Sequence, residues 1–208
     1  GDNQGLFYVT DTRMNKLFKI DYAGSTHEEL SLNGNVEKPN GILYDEANNR
    51  LIVVSYIEDA PIKAVDLDDY TVTTLMETEL DLLDGITRDE EGNFDVSSWG
   101  DGTKGGGAVY KIAPDFSGEP ELVESGFSGP ADIYYNEYDG KIAVPNVLDN
   151  TVDFIQIKDV PKAPDLIDAG EGDKDSVGVR PLLKWHSTGA DSYNLQLAES
   201  FTLIFTPD

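Results

Sequence analysis

One short phrase recurs along the chain, and its spacing limits what the chain can fold into. An apolar residue followed two places later by Val occurs at Phe7, Leu51, Phe94 and Ile142. Successive copies therefore lie 44, 43 and 48 residues apart. Periods in the forties that are filled with short strands are typical of the blades of a β-propeller.

Each repeat has the same order of segments. A first strand leads through a polar turn into the apolar-x-Val strand, and a third and a fourth strand follow. The turns, at 46–49, 90–92 and 137–140, contain Asn, Asp or Gly, which tolerate the left-handed backbone of a tight hairpin. No helical period spans ten residues. The predicted third strands are 17–21, 62–66, 109–112 and 152–155, and the predicted fourth strands are 28–32, 72–76 and 120–123.

The sequence therefore predicts an all-β fold, with a partial β-propeller of about three and a half blades over residues 1–159. Phe7 stands in a second-strand position with no first strand before it. A closed propeller usually has about four to eight blades, and an open set leaves strand edges exposed. We therefore expect N-terminal blades of a longer protein to precede this segment.

The period stops near Val160, and a segment rich in Pro, Gly and Asp follows. Beyond it, Trp185 lies in one alternating run and Tyr193 opens another, an arrangement that suits the core of a β-sandwich. This part resembles the opening strands of a fibronectin type III domain. It is about half of the ~100 residues that a sandwich normally uses. The prediction for residues 160–208 is a linker and a partial β-sandwich.

The charge of the chain limits its partners. Asp and Glu number 40 and Lys and Arg 15, which gives a formal net charge of −25. Phosphate backbones and anionic lipids repel such a surface, so nucleic acid is excluded as a partner. No run approaches the roughly 20 apolar residues of a membrane span. The acidic residues are spread along the chain, which favours solubility as their role, with divalent-cation binding as the second interpretation.

Three phrases resemble the regucalcin/gluconolactonase superfamily (senescence-marker-protein-like) of six-bladed propellers. They are PNGI at 39–42, LDGI at 83–86 with the residues through Gly100, and VYKIAPD at 109–115. The resemblance covers roughly residues 5–158, and similar phrases occur in propellers of the NHL and strictosidine-synthase-like types. It implies an axial divalent cation, often Ca²⁺, held by a Glu, two Asn and an Asp from different blades. It also implies that the Asp is the catalytic base of lactone hydrolysis.

Carried over to this sequence, the resemblance makes Asn40 and Asp84 metal ligands and Asp84 the catalytic residue. Both open the innermost strand of a repeat, and the Gly that follows each lets the backbone come close to the axis. Their side chains offer hard oxygen ligands. The same residues are also common in turns, where they cap nearby N–H groups. Both interpretations stay open, and the equivalent position in the next repeat is Ala131, followed by Asp132.

Three residues are candidates for substrate binding: Ser98, Trp99 and Asp132. Trp99 precedes a Gly-rich loop and either floors a ligand pocket or packs between blades. Ser98 shares its repeat position with Asp11, Ser55 and Asn146, and hydrogen bonds between blades are the other explanation for that position.

Two functions follow as hypotheses. The first is a divalent-cation-dependent hydrolase, with Ca²⁺ as cofactor and a small lactone or ester as substrate. The second is a non-catalytic binding or adhesion propeller for a surface ligand, joined to fibronectin-like modules. The fibronectin resemblance implies an extracellular or cell-surface location, and the sequence leaves the oligomeric state open.

Overall fold

The computed structural model describes residues 5–157 and, beyond them, the backbone of four short strands. The chain divides into two compact units, Gly1–Lys158 and Asp159–Asp208. In the second unit, β15 (Leu166–Asp168) pairs with β16 (Lys184–Trp185), and β17 (Tyr193–Leu197) pairs with β18 (Leu203–Pro207), both antiparallel. The side chains on which the predicted sandwich depends lie outside the described residues, so the fibronectin resemblance stays a prediction.

Residues 5–157 form four antiparallel sheets that follow one another along the chain, and we number them as blades. Blade 1 contains β1 (Leu6–Asp11), β2 (Lys16–Asp21) and β3 (Thr26–Glu29). Blade 2 contains β4 (Pro39–Asp45), β5 (Arg50–Ser55), β6 (Ile62–Asp66) and β7 (Val72–Met76). Blade 3 contains β8 (Leu83–Arg88), β9 (Phe94–Ser98), β10 (Gly107–Ile112) and β11 (Glu121–Phe127). Blade 4 contains β12 (Tyr134–Asn136), β13 (Lys141–Asn146) and β14 (Thr151–Gln156).

The repeat-by-repeat prediction of an all-β chain is confirmed, because each predicted second strand is present at its expected place. The turns also behave as predicted. Asn49, Gly92 and Gly140 all have positive φ, at 46°, 87° and 62°, and they close the hairpins between the first and second strands of blades 2, 3 and 4. One 3₁₀ turn, Glu46–Asn48, is the only helix in the described part of the chain, so no described helix is long and apolar enough to cross a membrane.

The outer strands differ from their predicted bounds. The fourth strand of blade 1 was expected to reach residue 32, but β3 ends at Glu29. Leu30 N still donates to the carbonyl oxygen of Leu17 on β2 at 2.8 Å, and its side chain is buried between blades 1 and 2, where apolar contact stabilises it. The fourth strand of blade 3 is longer than predicted and runs to Phe127, whose side chain is buried in the next interface.

Apolar side chains that alternate along the strands fill the spaces between consecutive blades. Leu17 and Leu30 pack with Leu51 and Val53 between blades 1 and 2. The core between blades 2 and 3 includes Ile52, Val54, Ile62, Phe94 and Val96. The core between blades 3 and 4 includes Val109, Phe127, Ile142, Val144 and Ile155. Blades 2 and 3 therefore each bury one sheet face against the blade before and the other face against the blade after.

The innermost strands carry a one-residue bulge at the same repeat position. In blade 2 the pairs Pro39–Ser55 and Ile42–Val53 flank the bulge, and in blade 3 the pairs Leu83–Ser98 and Ile86–Val96 do so. In blade 4 the chain pairs Pro130 with Asn146 before β12 begins. A bulge bends a strand and re-aims its side chains, so it sets the direction of the two residues inside it.

Candidate axial site

The bulges of three successive inner strands touch one another. A Cβ atom on Gly41 would lie 2.3 Å from the carbonyl oxygen of Asp84. A Cβ atom on Gly85 would lie 2.5 Å from the backbone nitrogen of Ile133 and 2.9 Å from the carbonyl oxygen of Ala131. The two glycines thus let neighbouring backbones approach more closely than any side chain would permit. The structure therefore brings the backbone segments that bear Asn40, Asp84 and Asp132 together.

Hydroxyl groups on the second strands hold the bulges in place. Thr10 Oγ1 donates to the carbonyl oxygen of Asn40 at 2.6 Å, from blade 1 to blade 2. Ser97 Oγ donates to the carbonyl oxygen of Ala131 at 2.8 Å, from blade 3 to blade 4, and accepts a bond from Gly85 N at 2.7 Å. These contacts fix the bulges of blades 2 and 4 relative to the preceding blade, and the bulge of blade 3 to the second strand of its own sheet. The geometry of the site is therefore set by pairs of blades rather than by one loop.

The Asp84 carboxyl group is partly buried beside an indole. Trp99 Nε1 donates to Asp84 Oδ2 at 2.9 Å, while Oδ1 makes no hydrogen bond to the described residues. Burial raises the pKa of Asp84 to about 6, the Trp99 hydrogen bond opposes that rise, and the charge of Asp132 adds to it. Asp84 thus interacts electrostatically with a second carboxylate, carried on the next inner strand.

Asp132 is exposed by surface area, yet the surrounding protein desolvates its carboxyl group enough to raise its pKa, against a hydrogen bond from Ile133 N. The seven ion pairs found among the described residues include neither Asp84 nor Asp132. Two partly desolvated carboxyl groups thus stand close to each other without a basic side chain to balance them. A bound cation would offset the repulsion between the two carboxylates, and so would protonation of one of them.

Trp99 packs against Tyr56 and Gly129. Its ring lies 5.5 Å from that of Tyr56, edge to face at 87°, and its far edge packs on the backbone of Gly129. Burial is the larger cause that raises the pKa of Tyr56, and the charge of Asp84 is the smaller one. The Tyr56 phenol therefore interacts electrostatically with the Asp84 carboxylate. Our sequence reasoning missed Tyr56, although it follows β5 just as Trp99 follows β9. Aligning the repeats one residue further would have found it.

The Gly-rich loop after Trp99 is fastened to blade 4. Lys104 Nζ pairs with Asp149, and Gly105 N donates to Ser128 Oγ at 3.2 Å. Ser98 is buried, and its hydroxyl donates to the carbonyl oxygen of Asp81 at 2.6 Å and accepts a bond from Gly100 N. The structure thus gives Ser98 a role in holding loops, while its assignment to substrate binding stays a prediction.

The side chains at this site are of the types that bind hard cations. An amide oxygen of Asn40 and the carboxylates of Asp84 and Asp132 are the ligands that Ca²⁺ and Mg²⁺ prefer. Within residues 5–157 no group of three or more His, Cys, Asp or Glu side chains could hold a metal ion. Ca²⁺ takes six to eight oxygens. Carbonyl groups, waters or further residues would therefore have to complete the coordination supplied by these three side chains.

Comparison with solved structures identifies the fold. The chain is similar to a chain in the crystal structure of a nidogen/laminin complex, with a TM-score of 0.61 and 18% identity over 74% of this chain and 56% of that chain. It is similar to a putative gluconolactonase, with a TM-score of 0.53 and 13% identity over 76% of this chain and 61% of that one. It is also similar to regucalcin, a calcium-binding protein from Agrobacterium tumefaciens, with a TM-score of 0.56 and 14% identity over 74% of this chain and 50% of that one.

No family model matches the sequence, and neither does any curated protein. Identities of this size show the fold alone, and the chain spans between 50% and 61% of the length of these neighbours. The four blades of residues 5–157 thus form a partial β-propeller, as the sequence predicted.

Proposed function

We propose that the axial site binds a divalent cation, Ca²⁺ in the first instance, through Asn40, Asp84 and Asp132. One observation carries this proposal: three inner-strand bulges in backbone contact bring two carboxyl groups close together with no basic partner among the described residues. Similarity to a calcium-binding propeller supports the choice of ion. Substrate chemistry at this site is the second step of the proposal.

The substrate we propose is a small lactone or ester, in line with similarity to a putative gluconolactonase. A bound cation would supply polarisation of the carbonyl group of such a ligand. Asp84 is the group proposed to accept a proton from water, since its Oδ2 accepts the Trp99 hydrogen bond and its Oδ1 accepts none from the described residues. Trp99 holds Oδ2 of that carboxylate, and the rings of Trp99 and Tyr56 form an apolar wall beside it.

The test of cation binding is calorimetry with CaCl₂ on the full chain and on two variants. Asp84→Asn keeps the shape of the side chain but removes one of the two charges, so the affinity for Ca²⁺ should fall by about tenfold or more. Glu137→Gln removes the same charge from an exposed turn of blade 4, and it should leave the affinity unchanged. Equal weakening in both variants would mean that only the overall charge attracts the ion.

Hydrolysis is tested separately with a panel of lactones and the protein loaded with Ca²⁺. We expect turnover that Asp84→Asn abolishes and that Glu137→Gln retains. Cation binding without turnover on any lactone would reject the catalytic step and leave the binding step standing.

That result would favour the second candidate, a non-catalytic extracellular or cell-surface propeller that binds a surface ligand. Similarity to a chain from a nidogen/laminin complex, at the highest TM-score of the three structures quoted, supports this candidate. Propellers can present the face around the axis as a rigid platform, and in this candidate the cation stiffens that platform.

A further inference from the structure

A short strip of apolar side chains borders the Asp84 carboxyl group, at the edge of the blades where the second strands end. Tyr56, Trp99 and Leu148 follow β5, β9 and β13, and each of the three is partly exposed. We call these three residues the apolar strip. The function proposed above uses the carboxylates for a cation and for water, and it does not say which part of a ligand meets the strip.

Contacts between neighbouring blades join the strip into one surface. The rings of Tyr56 and Trp99 lie 5.5 Å apart, edge to face. At the far edge of the indole, a Cβ atom on Gly129 would lie 3.2 Å from Trp99 Cη2 and 3.1 Å from Leu148 Cγ. Trp99 and Leu148 therefore pack on the same glycine. The strip thus runs across blades 2, 3 and 4.

The backbone under the two aromatic residues is held by the same hydrogen bond in two blades. Tyr56 N donates to the carbonyl oxygen of Lys38 at 2.9 Å. Trp99 N donates to the carbonyl oxygen of Leu82 at 3.2 Å. Lys38 and Leu82 both have positive φ, at 40° and 51°, a region that residues with a side chain seldom adopt. Strain of this kind persists where the surrounding structure enforces it, and it is concentrated at ligand sites.

The indole links the strip to the acidic part of the site. Trp99 Nε1 donates to Asp84 Oδ2 at 2.9 Å, while the opposite edge of the ring lies on Gly129. A ligand beside the indole would therefore meet a carboxylate at one end and hydrocarbon at the other. The side chains of the strip offer such a ligand a single hydrogen-bonding group, the phenol of Tyr56, because the indole N–H is already used.

We propose that the apolar strip binds the substituent of the substrate, so that the substrate is a neutral lactone or ester with an alkyl or aryl group. This inference rests on the function proposed above, which uses the acidic part of the site for the carbonyl group. The hydroxyl groups of a polyhydroxylated lactone would lose water against the strip without gaining partners, at a cost in free energy. The net charge of −25 and the carboxyl groups of Asp84 and Asp132 repel substrates that carry carboxylate or phosphate.

Calorimetry with two lactams tests the inference without hydrolysis, since a lactam has the ring and carbonyl group of a lactone but a stable amide bond. The full chain is titrated with pyrrolidinone and with the same lactam carrying a butyl group on the ring carbon next to nitrogen. We expect the butyl compound to bind more tightly by about tenfold or more, because its chain buries apolar surface on the strip. Equal affinity for the two lactams, or binding of neither, overturns the inference.

Each titration is carried out in CaCl₂ and again in EDTA, which separates the strip from the cation. A gain from the butyl group that appears in both buffers, in a chain that binds no Ca²⁺, would reject the proposed cation and keep the strip. Ca²⁺ binding without any gain from the butyl group would do the reverse. In the lactone panel, the same preference should appear as a lower KM for alkyl-substituted lactones than for polyhydroxylated ones.

Two leucine substitutions identify the surface. Leu148→Asn removes apolar surface from the strip and should cancel most of the gain from the butyl group. Leu122→Asn makes the same change at a 53% exposed position on β11, and it should retain the gain. Tyr56→Ala should act like Leu148→Asn. A gain that survives both strip substitutions, or that Leu122→Asn removes equally, would reject the strip as the binding surface.

Discussion

Replacing Asp95 with valine should raise the free energy of unfolding by about 2–4 kcal/mol at pH 8, an unusual direction for a core substitution. Asp95 lies in the middle of β9, and its side chain is completely buried. Neither carboxylate oxygen has a hydrogen-bond partner among the described residues. A buried ionised group without partners destabilises the native state, and removing it should therefore stabilise the fold.

The basic residue beside Asp95 is paired with a different carboxylate. Asp95 lies between Thr87 of β8 and Lys111 of β10 in the strand register. Lys111 Nζ instead pairs with Asp89 Oδ2 at 3.0 Å, and Thr87 Oγ1 accepts a bond from Tyr135 N. Burial therefore raises the pKa of Asp95 to about 7, Lys111 opposes the rise, and the charge of Asp89 adds to it.

The effect has a defined dependence on pH. The pKa of Asp95 is about 7 in the folded state and about 3.8 in the unfolded state, so the folded protein binds more protons between these values. Stability contributed at this site is therefore greatest below pH 4, falls as pH rises from 4 to 7, and is lowest above pH 7. Three pKa units correspond to about 4 kcal/mol, from which overpacking by valine subtracts about 1 kcal/mol.

Urea unfolding at several pH values between 4.5 and 8 measures this effect. The difference in stability between Asp95→Val and the unmodified protein should grow as pH rises, and Asp95→Asn should show the same slope because it also cannot ionise. Asp89→Asn is the matched control with the opposite sign. Burial alone would raise the pKa of Asp89, but bonds from Asn93 and Lys111 lower it, so its contribution is lost as pH falls. Parallel pH profiles for Asp95→Val and the unmodified protein would contradict the account.

Most of the fold that could be predicted was predicted from the sequence repeat. Strand order and the hairpin turns follow from residues that recur at nearly fixed spacing, because successive blades bury equivalent faces. The ends of the outer strands could not be predicted in this way. Leu30 alternates like a strand residue, and only the presence of blade 2 shows that its side chain is better buried between blades.

The candidate site was predictable in part. The Asn-Gly and Asp-Gly steps at Asn40 and Asp84 predicted two close backbone approaches near the axis, and the structure places these two backbone segments in contact. The hydrogen bond from Trp99 to Asp84 depends on a side-chain direction that no local pattern encodes. The sequence does mark Asp95 as unusual, because the residues aligned with it in the other repeats, Tyr8, Ile52 and Ala143, are less polar. Only the structure shows that its carboxylate oxygens have no hydrogen-bond partner among the described residues.

Replacing Gly85 with alanine should lower the free energy of unfolding by about 3 kcal/mol, because it separates the inner strands of blades 3 and 4. The new Cβ would lie 2.5 Å from Ile133 N, 2.8 Å from Asp132 Cα and 2.9 Å from the Ala131 carbonyl oxygen. All three atoms belong to backbone, so no side-chain rotation can relieve the contact. Gly85 does not have positive φ, which leaves the close approach of the strands as the cause.

Alanine at the equivalent residue of blade 4 provides the control. Asp132→Ala keeps a Cβ that the structure already accommodates, so its urea midpoint should stay near that of the unmodified protein, while Gly85→Ala unfolds at clearly lower urea. Gly41→Ala should resemble Gly85→Ala, since its Cβ would meet the Asp84 carbonyl oxygen at 2.3 Å. Equal midpoints for Gly85→Ala and Asp132→Ala would show that the inner strands can move apart freely. In that case Asn40, Asp84 and Asp132 would not be held together as one site.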